Sequence, residues 1–272
     1  LKKALQSTHE PLALHTMGKK GAEAFMADLY LSPSRQDFNI YYDGSGSEKY
    51  YMDLIADAME PYLVASGISF ARSGDDMTLN QVIADSNSGD YRLHLALHSN
   101  ASGVGNVGGQ TGTDVYYYTT SARGREAAEI IASNFRDIYP NPEKVRTVPN
   151  STFAELRRVS APSVLVEIAY HDNQSDAEWI KNNIDLIART LALSVAEFLG
   201  VPFIEPSGFR EGVVTTGGGR LNIRTGPSLD STVIGQIPNG TRVTITGKEG
   251  DWYTVSHNGL NGYVYGQYIT IE

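Results

Sequence analysis

Hydrophobic positions along the chain follow two regimes. Up to about residue 200, runs that alternate with a period of two are interleaved with runs at helical spacing. The first strand is predicted at Leu29–Leu31, stopped by Ser32-Pro33-Ser34. Met52, Ile55, Ala56, Met59 and Leu63 then predict an amphipathic helix from about 47 to 66, with Ser45 and Glu48 at capping-box spacing and Gly67 closing it. A second strand falls at Ile68–Ala71, and Thr78 with Gln81 opens another capped helix. In Arg92–Ala101, Leu93, Leu95 and Leu97 share one face, while His94, Ala96 and His98 share the other. Asp114–Tyr118 reads as a strand, Ala128 to Ile138 as a helix, Ser163–Ile168 as a strand, and a helical region runs from Ser175 to Gly200. This alternation predicts an α/β fold, a mostly parallel sheet flanked by helices. Beyond residue 212 only short strands remain, separated by Gly, Pro, Asn and Asp, which predicts a small all-β barrel.

The organisation expected is an N-terminal segment of unknown role (1–28), an α/β domain (29–202), a linker (203–211) and the barrel (212–272). A formal charge of −9 without a Lys/Arg stripe argues against nucleic acid and against an anionic membrane surface as partners. No apolar run reaches the ~18–20 residues that span a bilayer. The absence of cysteine removes disulfides, Cys-type zinc sites and thiol nucleophiles together. The chain starts at Leu1 rather than Met, which leaves an export route open.

Chemistry concentrates at the polar ends of two strands. SVLVEI at 163–168 is a near-continuous apolar run that carries Glu167 close to its C-terminal end, with HDN following. A carboxylate there costs several kcal/mol unless protonated, paired or near a cation, so Glu167 is either a structural pairing partner or a site residue. His98 ends its strand in the same way, and Glu48 at a helix start can face the same crevice. One imidazole and two carboxylates suit a zinc hydrolase, each residue also having a plainer structural role. His94 lies about 13 Å from His98 along an extended strand, too far to share a metal, and reads as structural. Neither a phosphate-binding glycine loop nor a GxSxG elbow is present.

SEKYYM around Glu48, LHSNA at 97–101, LRR at 156–158 and VLVEIAYHDN at 164–173 occur in the order and spacing of a known family. On these blocks residues 29–200 resemble the zinc-dependent N-acetylmuramoyl-L-alanine amidases of bacterial wall turnover, a group that includes autolysins, sporulation enzymes and phage endolysins. The resemblance implies one zinc per chain, with Glu48 and His98 as ligands, Glu167 as general base, and Asn100 and Arg157 as substrate-binding residues. The family's first ligand is a His directly after strand one. Here that place reads SPSRQ, with no His. His171, four positions after Glu167, is on the same side if the chain stays extended and is the expected third ligand; the Gln36 carbonyl is the alternative.

LNIRTGPS at 221–228, VIGQIPNGTRV at 233–243, DWYTV at 251–255 and NGYV at 261–264 resemble bacterial SH3-type domains, which implies peptidoglycan as partner and action at the cell wall or outside the cell. Trp252 serves there either as contact surface or as core. The function these resemblances imply is hydrolysis of the bond between N-acetylmuramic acid and L-alanine. The alternative is a metal-free protein that binds the wall or regulates another hydrolase.

Overall fold

The computed structural model describes residues 26–206, 210–257 and 260–271. Most of the N-terminal segment, with His9 and His15, and residues 207–209 of the expected linker lie outside the described residues.

The strands β1 (Met26–Pro33), β2 (Phe70–Arg72), β3 (Asp90–Asn100), β4 (Thr113–Tyr118), β5 (Val145–Asn150) and β6 (Ser163–Tyr170) form one sheet in the order β2-β1-β3-β6-β4-β5. Every neighbouring pair is parallel except β4 with β6. The first strand runs past its predicted stop. Ser32 and Pro33 pair with Ala96 and Leu97 of β3, and Ser34 N–H still donates to the Leu97 carbonyl at 2.9 Å. Proline is tolerated there because it ends the strand, where one missing donor does not interrupt the ladder.

Among the described residues, six α-helices flank this sheet: α1 (Glu48–Ala65), α2 (Leu79–Ser86), α3 (Ala122–Ile138), α4 (Ala154–Arg158), α5 (Gln174–Asn182) and α6 (Ile184–Leu199). Leu93, Leu95 and Leu97 of β3 join Val164, Val166 and Ile168 of β6 in the main core, packed with the apolar stripes of α1, α3 and α6. Ala96, Leu156 and Leu165 form a smaller core on the other face, beneath the short helix α4. That face is covered only in part, so polar side chains on it meet one another and a cleft. The predicted capping box at α1 shifts by two residues. Ser47, in extended backbone, is the cap and accepts from Tyr50 N–H at 3.2 Å, while Ser45 bonds the Tyr51 hydroxyl at 2.8 Å. Glu48 therefore becomes the first helical residue, and its carboxylate points to the sheet rather than back to a cap.

The C-terminal strands are β7 (Arg210–Val214), β8 (Arg220–Arg224), β9 (Val233–Pro238), β10 (Arg242–Glu249), β11 (Trp252–His257), β12 (Leu260–Tyr265) and β13 (Ile269–Ile271). They make a separate sheet in the order β13-β7-β10-β11-β12-β8-β9, antiparallel throughout. Val214, Leu221, Ile223, Ile237, Val243, Ile245, Val255 and Val264 give it its own core. Trp252 is largely buried and packs on Tyr265 with ring centres 5.2 Å apart; both rings line a groove with Leu229 and Tyr268.

Candidate active site

The site lies toward the C-terminal ends of β1, β3 and β6, where parallel sheets place their ligands. Parallel register sets His98 of β3 beside Glu167 of β6. A cleft of about 420 Å³ opens over them, floored by Ser32, Ser34, Glu155 and Glu167 and walled by Phe38, Leu79, Phe153 and Leu165.

His98 is the hub. Its Nδ1 lies 2.7 Å from Glu48 Oε1 and 3.3 Å from the Gln36 amide. Asn39 Nδ2 donates both to Glu48 Oε2 at 2.7 Å and to Gln36 Oε1 at 3.1 Å, holding those two side chains together. On the other side of the ring, His98 Nε2 is 3.8 Å from Glu155 Oε2. Burial opposes the imidazolium, yet Glu155, Glu48 and the charge of Glu167 raise the His98 pKa well above its ordinary value. Burial likewise opposes ionisation of Glu48 and Glu155, and is outweighed at Glu48 by His98 and Asn39 and at Glu155 by His94 and His98, so both carboxyls stay below their usual range.

Glu167 is the exception. Its Oε2 is shut away from solvent and has no hydrogen-bond partner. Burial pushes its pKa up to about 7, with Glu48 and Asp114 adding to the rise and His98 opposing it. A carboxyl poised near neutrality at the floor of a cleft is suited to taking and returning a proton.

The third expected ligand is elsewhere. His171 is buried with its Nδ1 2.8 Å from the Ser99 carbonyl and 3.1 Å from Ser99 Oγ, and its ring stacks on Tyr41. The cause is a bulge. His98 pairs with Glu167, but Asn100 pairs with Tyr170, so β6 carries one more residue than β3 between the two pairs. One extra residue inverts the alternation, and a side chain four positions after Glu167 no longer shares its side. Asn100 turns its Oδ1 to the Ala101 N–H at 2.8 Å and does not line the cleft. Arg157 is exposed and lines a separate hollow with Tyr118 and Arg123. Arg35 spends its Nη atoms on Ser73 and Asp75.

Among the described residues, no group of three or more His, Cys, Asp or Glu side chains is arranged to hold a metal ion. What converges on one point is the Glu48 carboxylate, His98 Nδ1 and the amide of Gln36. Three carboxylates, Glu48, Glu155 and Glu167, also surround a single imidazole at low exposure, an excess of negative charge that a divalent cation would offset. Glu48 and His98 are the residues that would hold a cation here, while Gln36 turns its Nε2 to the imidazole and gives its Oε1 to Asn39 Nδ2.

Glu155 carries no signal in the sequence that marks it as a site residue. It sits on a five-residue helix, and its partner Ser32 is 123 positions away. The nearest hint was its place directly before the LRR block.

Comparison with known proteins gives the family and the fold. The sequence pattern of the family described as N-acetylmuramoyl-L-alanine amidase matches residues 36–197, and that of the bacterial SH3 domain matches residues 219–270. The catalytic domain of CwlV, an N-acetylmuramoyl-L-alanine amidase from Bacillus (Paenibacillus) polymyxa var. colistinus, superposes with a TM-score of 0.56 at 18% identity, covering 65% of this chain and 100% of that one. The amidase AmiC2 of Nostoc punctiforme gives 0.55 at 20% identity, over 66% of this chain and 99% of its own. Cwp6 from Clostridium difficile gives 0.53 at 24% identity, over 64% of this chain and 29% of its own. At these identities the likeness is one of fold.

Bacteriocin BCN5 of Clostridium perfringens is 43% identical over 51 residues, 19% of this chain and 6% of its own length. A probable endopeptidase p60 of Listeria innocua is 38% identical over 52 residues, 18% of this chain and 11% of its own. The chain thus matches only a small part of these curated relatives. The amidase pattern, by contrast, spans more than half of the 272 residues, and the protein belongs to the N-acetylmuramoyl-L-alanine amidase family, with a bacterial SH3 domain following the amidase region.

Proposed function

We propose that this protein hydrolyses the amide between the lactyl group of N-acetylmuramic acid and L-alanine in peptidoglycan, using one zinc ion per chain. In this reading the SH3 domain holds the enzyme at the bacterial wall, raising its effective concentration on an insoluble substrate. The observation that carries the proposal is Glu167, whose Oε2 is buried without a partner beside His98. Glu48 and His98 would hold the metal, and Gln36 would join them only with its amide turned to bring the oxygen inward. Bound there, zinc supplies Lewis acidity to the scissile carbonyl. Glu167 accepts the proton of the attacking water and delivers it to the departing amine nitrogen. Asn39 keeps the Glu48 and Gln36 side chains together while this happens. Phe38, Leu79 and Phe153 give the mouth of the cleft apolar walls against which the substrate is held. No helix among the described residues is long and apolar enough to cross a membrane.

The test is Glu167→Gln on purified walls. Release of new L-alanine amino termini should collapse while sedimentation with the walls is retained. Activity that survives the substitution sinks the assignment. A second reading, a metal-free wall-binding protein, is favoured by one observation: an amide stands where a third imidazole would be expected. Metal analysis of the purified protein separates the two, since an equimolar bound zinc is incompatible with the second.

A further inference from the structure

Beyond the cleft, the partly covered face of the sheet carries two rows of side chains that run across β6, β4 and β5. Glu167 pairs with Asp114, and Asp114 with Arg146; one step along, Leu165 pairs with Tyr116, and Tyr116 with Val148. Paired residues on neighbouring strands share a face, so a charged row lies beside an apolar one. Tyr116 also meets the cleft wall, its ring centre 5.0 Å from that of Phe153. At the far end, Arg146 Nε and Nη2 donate to the two oxygens of the buried Asp114 carboxylate at 2.8 and 2.9 Å. That fork fixes the guanidinium plane and commits one edge of it. The edge that carries Nη1 is left over, on a side chain still 57% exposed.

We propose that Arg146 is a specificity-determining residue, which takes a free carboxylate of the peptide stem two or three residues beyond the bond that is cut. Neighbouring strands lie about 4.8 Å apart, which puts the Arg146 backbone about 10 Å from that of Glu167. A peptide covers at most ~3.3–3.6 Å per residue, so that span is two to three residues of stem. The glycan arm has no carboxylate to offer there, since the lactyl carboxyl is spent in the scissile amide. Closer to the cut, Glu167 and Asp114 repel an anion; at Arg146 the sign of the charge reverses. Tyr116 and Val148, both half-buried, supply apolar surface along the way.

This inference rests on the proposed amidase reaction, and its test separates the two. Soluble muramoyl-tetrapeptides with an amidated C-terminus are compared, the carboxylate of the second or of the third residue being replaced by a carboxamide one at a time. Wild type should lose about tenfold in kcat/KM on one of these amides, mainly through KM, as one charge-assisted hydrogen bond is lost. Arg146→Gln should no longer distinguish that amide from the acid. A pair that only braces the sheet would instead, when broken, lower turnover of acid and amide alike. If Arg146→Gln does not fold, because Asp114 is left buried without its cation, the double variant Asp114→Asn, Arg146→Gln carries the same comparison. A wild type that cuts the acid and both amides within twofold, or a preference that survives in the variant, overturns the role of Arg146 and leaves the amidase reading standing. A wild type that cuts none of these stems overturns both.

Discussion

The two faces of β3 share one alternation and carry opposite chemistry. Leu93, Leu95 and Leu97 point into the main core and are fully buried. His94 and His98, one step out of phase, point to the other face, where each imidazole meets Glu155. Long helices α1, α3 and α6 seal the leucine face, so its side chains need only fill volume. The histidine face has only the short α2 and α4 above it. There buried polar groups must find partners, and at the cleft Glu167 Oε2 and Arg35 Nε are described atoms that do not.

Substitutions on the two faces should fail differently. The largest effect is expected at Glu167. Glu167→Gln should lower turnover about 10²–10⁴-fold, the range for loss of a general base, without lowering the melting temperature. On the sealed face, Leu95→Ala should cost about 2–5 kcal/mol of stability in a denaturant titration. An unchanged unfolding midpoint there would mean that the leucine face is not the main packed core.

A subtler contrast comes from pH. In the metal-free protein Glu167 holds its proton up to about 7, against an ordinary 4.5. Between those values the native state binds more protons than the unfolded chain, so this group's contribution to stability falls as pH rises. The effect, on the order of 1–3 kcal/mol, should appear as the difference between wild type and Glu167→Gln, the variant growing relatively more stable toward pH 8. A difference that is flat in pH would place the Glu167 pKa near its ordinary value.

The smallest effect sharpens the link between the helix start and the site. Ser47→Ala removes the α1 cap and the bond from Ser47 Oγ to Asp37 at 2.6 Å, at a cost of about 1 kcal/mol. Because Glu48 follows directly, zinc affinity should weaken with it. A cap loss of that size on unrelated α3, by Ser121→Ala, should leave affinity untouched.

Much of this was legible along the chain. Helical spacing marked α1, the Thr78–Gln81 capping box marked the start of α2, and the alternation at 92–101 put the leucines of β3 opposite its histidines. Glu48, His98 and Glu167 do come together at one end of the sheet. His171 does not join them, because counting by twos fails across a bulge that only the pairing of β3 with β6 reveals. Asn100 and Arg157, named through the family's blocks, face away from the cleft for a related reason: a block conserves order along the chain, not the direction of each side chain.

What the amino-acid sequence determined by itself was the local and periodic part: which stretches are strands, which faces are apolar, where helices begin within a residue or two, and that one carboxylate sits in a strand too apolar for it. Those features follow from steric and hydrophobic rules that act over a few residues. The tertiary structure alone decided which polar groups meet. Glu155 reaches Ser32, His94 and His98 across gaps of 123, 61 and 57 positions, and no local rule carries information over that distance. The pairing register and the closing of α4 over the sheet do, because both are consequences of how the whole core packs.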